Sequence, residues 1–254
     1  MQIQTNKNMK QNIYDNDIFF SNYKLFREKN VGLNDTIEIP AILSLLPDVR
    51  NKTILDLGCG MGDLCLKFNE LGAKKIIGID ISEKMTSIAK EKCKIFKNII
   101  IEKTSIEDFI FDVNEFDIIV SSLTLHYIKN TYDIFNKVIK ALKTEGFFIF
   151  SIEHPIATCI LGNYSGWIKD NDGTNLFWRV DNYSDEGERK TNWFISGVIK
   201  YHRTFSTIIN QLVDNNFKIV KILEPHASES DETCRPKLLE ERKRPPFLLI
   251  KSKK

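Results

Sequence analysis

Three glycines at alternate positions, Gly58, Gly60 and Gly62, follow the apolar run TILDL (53–57) and lead into the helical stretch DLCLKFNELG. Glycine lets the backbone turn sharply and lets a ligand approach main-chain N–H groups with no β-carbon in the way. The helix behind the loop adds unpaired donors and a partial positive charge. Asp56 lies just before the loop, and Asp80 closes the next apolar run, KIIGID, 22 residues after Gly58. A carboxylate at that position suits a ribose diol, from which it can accept two hydrogen bonds. The plainer reading of Asp80 is a partner to Ser82 at a helix N-cap.

A second set of residues suits proton transfer. Of four histidines, His126 follows the run FDIIVSS, His154 follows GFFIFSIE beside Glu153, and His202 precedes a helical stretch. Imidazole accepts a proton near neutral pH. Open α/β sheets bind ligands outside the carboxyl ends of their strands, so the first two belong at that edge and the third beside it. His126, Glu153, His154 and His202 are therefore expected to border one pocket, at least one of them as base or positioning group. The alternative is that His126 is packing and His154 caps local backbone. Their spacing matches no metal-ligand motif, and no metal is expected.

The elements that must position these groups alternate along the chain. After a polar lead over 1–12, helical patterns cover 17–29 and 35–46, the second with Asn34 and Asp35 as candidate N-caps. Apolar runs at 53–57, 75–80, 98–102, 116–122, 146–153, 217–223 and 246–251 are separated by amphipathic stretches, such as 131–143 and 203–215. Continuous apolar strands between amphipathic helices predict a doubly wound α/β fold, with a mostly parallel seven-stranded sheet covered on both faces. The rhythm breaks over 154–201, which holds all three tryptophans and is rich in other aromatics, Tyr164, Phe177 and Tyr183 among them. The expectation is one domain over 1–254, with a helical cap over 1–46 and an irregular β-rich lid over 154–201.

Composition narrows the class. With 42% hydrophobic and 28% charged residues, the 254-residue chain reads as an ordinary soluble α/β protein. A net charge of +2 argues for neither a nucleic-acid nor a membrane partner. Five scattered cysteines without CxxC pairing suggest reduced thiols. The polar N-terminus and the lack of a long apolar window make the cytoplasm the expected location. Oligomeric state is silent.

The segments D-L-G-C-G-M-G and G-I-D-I-S resemble motifs I and post-I of class I S-adenosylmethionine-dependent methyltransferases. SIEDF (105–109), FDIIVSSLTLHYI (116–128) and KALKTEGFFIFSIEHP resemble later motifs of that superfamily. The resemblance extends to a bacterial subgroup with the type 11 methyltransferase domain. Its pieces here are Glu153-His154-Pro155, Tyr201-His202-Arg203-Thr204 and Pro245-Pro246-Phe247-Leu248-Leu249. This implies S-adenosylmethionine as cofactor and methyl transfer to a small-molecule acceptor. Asp56, just before the loop, would be among the cofactor-binding residues, and Gly58, Cys59 and Gly60 would touch the methionine part, Cys59 through its backbone. Asp80 would hold the ribose, with Ile81 and Met85 against the adenine. Ser105, Ile106 and Glu107 would border the adenine ring, and Ser121 and Leu123 would floor the sulfonium.

For the acceptor, similar enzymes point to the N-terminal helices, and the aromatic residues themselves point to the lid. Tyr14, Tyr23 and Arg27 would fold over the cofactor, with Tyr127 beside His126. Trp167, Trp178, Tyr183 and Trp193 would wall the pocket, or else form a satellite hydrophobic cluster. Arg203 would pair with an acidic acceptor, or with Glu153 or an acidic lid residue. Three rival readings are an NAD-dependent oxidoreductase, a silent cofactor-binding subunit and a nucleic-acid methyltransferase. The first would want a glycine where Asp63 stands, and the last an Asn/Asp-Pro-Pro-Tyr/Phe motif where SSLT stands.

Overall fold

The computed structural model describes residues 10–29, 32–162 and 166–254. Tyr164 and most of the polar lead lie outside the described residues.

Five parallel neighbours form the centre of the sheet. Strands β1 (Thr53–Leu57), β2 (Lys75–Asp80), β3 (Ile99–Lys103), β4 (Phe116–Ser121) and β5 (Leu142–Glu153) run the same way. Strand β11 (Phe247–Lys253) is antiparallel to β5, and β10 (Lys218–Leu223) is antiparallel to β11. The order is β10-β11-β5-β4-β1-β2-β3. Strands β1 and β4 are parallel neighbours, and the order in which strands are added reverses between them, which opens a crevice at their carboxyl ends. This is the expected seven-stranded, mostly parallel, Rossmann-like sheet.

Alternation along the strands fills both faces. Ile54, Ile76, Ile118 and Ile149 pack on one side with Phe68 of α3 (Asp63–Glu70) and Ile42 of α2 (Ile39–Leu45). Leu55, Ile77, Ile119 and Phe148 pack on the other, with Phe135 of α5 (Thr131–Ala141) and Leu212 of α7 (Phe205–Asp214). Side-chain caps start the helices where short polar residues precede apolar patterns. Asn16 accepts from Phe19 N ahead of α1 (Asp17–Glu28), and Ser82 accepts from Met85 N ahead of α4 (Glu83–Cys93).

Asn34 and Asp35 do not cap a helix. A π-helical turn, Asn34–Glu38, precedes α2, and Ile39 N–H reaches back to Asn34 O. Pro40 has no N–H for the usual bond to Thr36, and the widened turn absorbs the loss. The strand after α5 also begins earlier than its apolar run, because Leu142 already pairs with Phe116.

The aromatic segment folds as short α6 (Pro155–Thr158) and two antiparallel hairpins. Strand β6 (Trp167–Lys169) pairs with β7 (Asn175–Trp178), and β8 (Gly187–Trp193) with β9 (Ile195–His202). Between β10 and β11, helix α8 (Glu229–Cys234) and a 3-10 stretch, Pro236–Lys243, fill a region without apolar periodicity. No helix among the described residues is long and apolar enough to cross a membrane.

Candidate active site

A cavity of about 1250 Å³ lies over the carboxyl ends of β1, β2, β4 and β5, lined by residues from the cap, the sheet edge and the β8–β9 hairpin. Gly58, Cys59 and Gly60 form its floor with Asp56. Gly58 and Cys59 donate backbone N–H to Ile79 O at 2.8 and 2.9 Å, which locks the loop onto β2. A β-carbon on Gly58, at φ +79°, would overlap the Thr124 side chain. Gly60, at φ +53°, has open space where a β-carbon would point.

Asp80 is fixed by main-chain donors at both oxygens, Gly60 N at 3.0 Å and Ser82 N at 2.8 Å. Burial nevertheless raises its pKa, against the pull of those two N–H groups. Ile81 and Met85 flank it on the cavity wall, and Ser105, Ile106 and Glu107 continue that wall from the turn after β3. Leu123 lines the cavity from the turn after β4, but Ser121 does not. Its hydroxyl turns to β1 and donates to Leu57 O at 3.0 Å; the next residue, Ser122, reaches the cavity instead.

Asp56 is the unusual group. Its Oδ2 accepts from the Cys65 thiol, while Oδ1 is buried without a hydrogen-bond partner among the described residues. Burial pushes its pKa up to about 7, reinforced by Asp80 and Glu38. An orphaned carboxylate oxygen at the cavity floor calls for a cationic or donor group of a ligand. Together with the open space at Gly60 and the doubly anchored Asp80, it fits the ammonium, main-chain-like and ribose ends of S-adenosylmethionine. Asp56 and the loop would hold the amino-acid end, and Asp80 the sugar.

The histidines separate. His126 is buried at the cavity wall beside Tyr127, and its Nδ1 accepts from Glu153 N at 3.4 Å. Burial lowers its pKa to about 4, so near neutral pH it is an uncharged ring with its proton on Nε2. His154 and His202 do not line the cavity. His154 Nδ1 accepts from Ile156 N at 3.1 Å and Nε2 lies 2.8 Å from Glu224 Oε1; it caps α6. His202 is fully buried, with Nε2 2.9 Å from Tyr183 O and Nδ1 2.8 Å from Thr158 Oγ1. A carbonyl and a carboxylate accept only. Both rings therefore carry the proton on Nε2 and receive a donor at Nδ1. None of the three has Nδ1 free to act as base.

Glu153 does reach the cavity. Its Oε1 accepts from Lys200 Nζ. Burial would raise its pKa, but the attraction of Lys200 and then His126 outweighs burial, and the carboxylate is held below its ordinary range. Lys200 responds in kind: burial disfavours its charge, and Glu153 more than restores it. Lys200 lies far from Glu153 in the chain, and nothing in the sequence flagged it.

Residues of the N-terminal helices meet the β8–β9 hairpin here. Tyr14, Tyr23, Arg27, Tyr127 and Trp193 all line the cavity. Tyr14 stands edge-on to Tyr23 at 5.1 Å, and Tyr23 edge-on to Trp193 at 5.9 Å. Arg27 pairs with Asp35 at 2.9 Å. Trp167, Trp178 and Tyr183 lie outside the cavity lining. The two tryptophans pack edge-to-face at 5.4 Å across the β6–β7 pair, and Tyr183 accepts Phe205 N at its hydroxyl. Arg203 donates to Ile128 O and Lys129 O, at 2.6 and 2.8 Å, and does not pair with Glu153. Two residues missed in the sequence support the cofactor wall. Asp15 accepts from the Ser82 hydroxyl at 2.6 Å and from Lys84 N at 3.1 Å. Glu38 anchors the turn after β4. No group of three or more His, Cys, Asp or Glu among the described residues is placed to hold a metal.

Comparison with known proteins agrees with this geometry. The model of a methyltransferase domain matches residues 48–165. A Haemophilus influenzae protein of uncharacterized activity is 37% identical over 97% of this chain and 98% of its own. An S-adenosylmethionine-dependent methyltransferase from Mesorhizobium loti superposes with a TM-score of 0.80 and 36% identity, over 89% of this chain and 99% of that one. A Listeria monocytogenes protein assigned to the same class gives 0.78 and 39%, over 85% and 96%. With its sheet order, its glycine loop and these relatives, the chain belongs to the class I S-adenosylmethionine-dependent methyltransferases.

Proposed function

We propose that this enzyme transfers the methyl group of S-adenosylmethionine to a small-molecule acceptor held between the cofactor and the Glu153–His126 wall. The supporting observation is the single cavity that runs from Gly60 and Asp80 to Glu153 under Tyr14, Tyr23 and Trp193. The bound cofactor supplies a methyl carbon made electrophilic by its sulfonium. The chain's part is to orient the acceptor in line with that carbon and to exclude water. Glu153, ionised by Lys200, is the group able to take a hydrogen bond or proton from an acceptor N–H or O–H. His126 would donate from Nε2, while His154 and His202 would support the wall without touching the acceptor. The Glu153-His154-Pro155 and Tyr201-His202-Arg203-Thr204 segments are compatible with the bacterial subgroup named above, as a single domain with a helical cap over 1–46 and a lid over 154–201. A cytoplasmic location belongs to the same reading.

The test is incubation of the isolated chain with methyl-labelled cofactor and a metabolite extract, and separately with RNA and protein. Label in the low-mass fraction is expected. Label only in RNA or protein, or none at all, contradicts the reading.

A further inference from the structure

Arg244 is a largely buried cation, its side chain 13% exposed, whose Nε the fold leaves without a hydrogen-bond partner among the described residues. Nη2 comes within 3.3 Å of Glu241 Oε2, yet that oxygen also has no hydrogen-bond partner, so the pair is close but misaligned. Buried guanidinium groups ordinarily use their donors, and an exception needs a reason.

The surroundings hold its plane against two rings, and the residue also lines the cavity. Its Cζ lies 4.3 Å from the Trp178 ring centroid and 5.8 Å from that of Trp167. Trp178 is itself fixed, donating Nε1–H to Ile156 O at 3.0 Å. Arg244 lines the cavity together with Pro246, Phe247 and Glu153, on the β5–β11 side. Two other cations that line the cavity have close acid partners, Lys10 with Asp108 and Arg27 with Asp35. The lid tryptophans thus serve the cavity indirectly, by clamping a residue that reaches it.

We propose that Arg244 anchors an anionic group of the methyl acceptor, a carboxylate or a phosphate, at the end of the cavity bordered by β5 and β11. The inference rests on the small-molecule reading above. A guanidinium edge matches two oxygens of either anion with parallel N–H bonds. Desolvation of the cation, which usually offsets a buried ion pair, has already occurred on folding.

The experiment is calorimetric titration of the full chain, saturated with S-adenosylhomocysteine, with benzoate, phenyl phosphate, benzyl alcohol and benzylamine. At least one anion should bind about tenfold or more tighter than benzyl alcohol, the gain expected of a hydrogen bond to a charged group. Benzoate against phenyl phosphate decides which oxyanion is preferred. Arg244→Met should lower the preferred anion to the level of benzyl alcohol, and Arg244→Lys should recover part of the difference. The proposal is overturned if neither anion binds, if benzyl alcohol or benzylamine binds as tightly, or if Arg244→Met leaves anion affinity unchanged. Should Arg244→Met fail to fold, the wild-type ranking and Arg244→Lys decide. Binding of S-adenosylhomocysteine is measured first. Its failure counts against the methyltransferase site itself, whereas its success without anion preference counts against Arg244 alone.

Discussion

The carboxylate of Glu38, in the helical cap, accepts a hydrogen bond from the hydroxyl of Ser122, at the turn after β4, across 2.9 Å. The same oxygen accepts from Ser151 on β5, whose own hydroxyl oxygen receives Leu123 N at 2.9 Å. Leu123 sits at φ +48°, a conformation a leucine keeps only where its neighbours hold it. Glu38 thus joins the cap to the cavity floor. Glu38→Ala leaves two buried hydroxyls without their acceptor and should destabilise the chain by about 2 kcal/mol. That corresponds to a fall in Tm of roughly 4–8 °C for this size. Glu38→Gln, which still accepts from both serines, should recover most of it. Equal losses in the two variants would contradict the role.

Stability should also depend on pH through this residue. Burial pushes the Glu38 carboxyl from 4.5 to about 7. Between those values the folded chain binds more protons at this site than the unfolded chain, so stability falls as pH rises through the window. Asp56, raised from 3.8 to about 7, acts with the same sign. Thermal melts of the cofactor-free protein from about pH 5 to 8 should show a declining Tm from these two groups. The decline should be shallower in Glu38→Gln. An unchanged slope in that variant would count against the shift.

The first two glycines of the loop, Gly58 and Gly60, should fail differently. Gly58→Ala drives a methyl into Thr124, so it should lower Tm as well as cofactor affinity. Gly60→Ala meets no protein atom and carries only the strain of a positive φ, about 1 kcal/mol. It should fold near the wild-type Tm yet bind S-adenosylhomocysteine at least about tenfold more weakly, because the added methyl faces the ligand side. Melts and calorimetry on both proteins check the contrast. Normal affinity in Gly60→Ala would remove that glycine from the site.

Histidine chemistry gives a sharper expectation. In ¹⁵N-histidine spectra, His126, His154 and His202 should each appear with a protonated Nε2 and an unprotonated Nδ1. His126, with its pKa lowered to about 4 by burial, should remain neutral from about pH 5.5 upward. A His126 that titrates near 6.5, or carries its proton on Nδ1, would reopen the case for an imidazole base.

Much of the frame was legible in the sequence because it rests on local pattern. Strand β1 and its glycine loop, and β2 ending at Asp80, declare themselves by apolar runs and turn chemistry within a few residues. What stayed hidden depends on pairing across the fold. Glu38 meets Ser151 113 positions away, and Lys200 meets Glu153 47 positions away. Neither charge advertises a burial that only tertiary structure creates. The histidines misled for a related reason. His126 and His154 do follow strands and His202 does precede a helix, but the ring of His154 is drawn into capping α6 and that of His202 into a bond with the backbone of Tyr183. Trp167 and Trp178 lie in the expected lid but face Arg244 and each other. Side-chain direction within an irregular segment has no period to reveal it.

Equilibrium binding of S-adenosylhomocysteine to the purified chain, compared with Asp80→Asn and Asp56→Asn, is the most direct test of the cofactor site. Saturable one-site binding that raises Tm is predicted, weakened at least about tenfold in each variant, with no effect of NAD. A folded wild-type chain that takes up neither this nucleotide nor its methylated parent would contradict it.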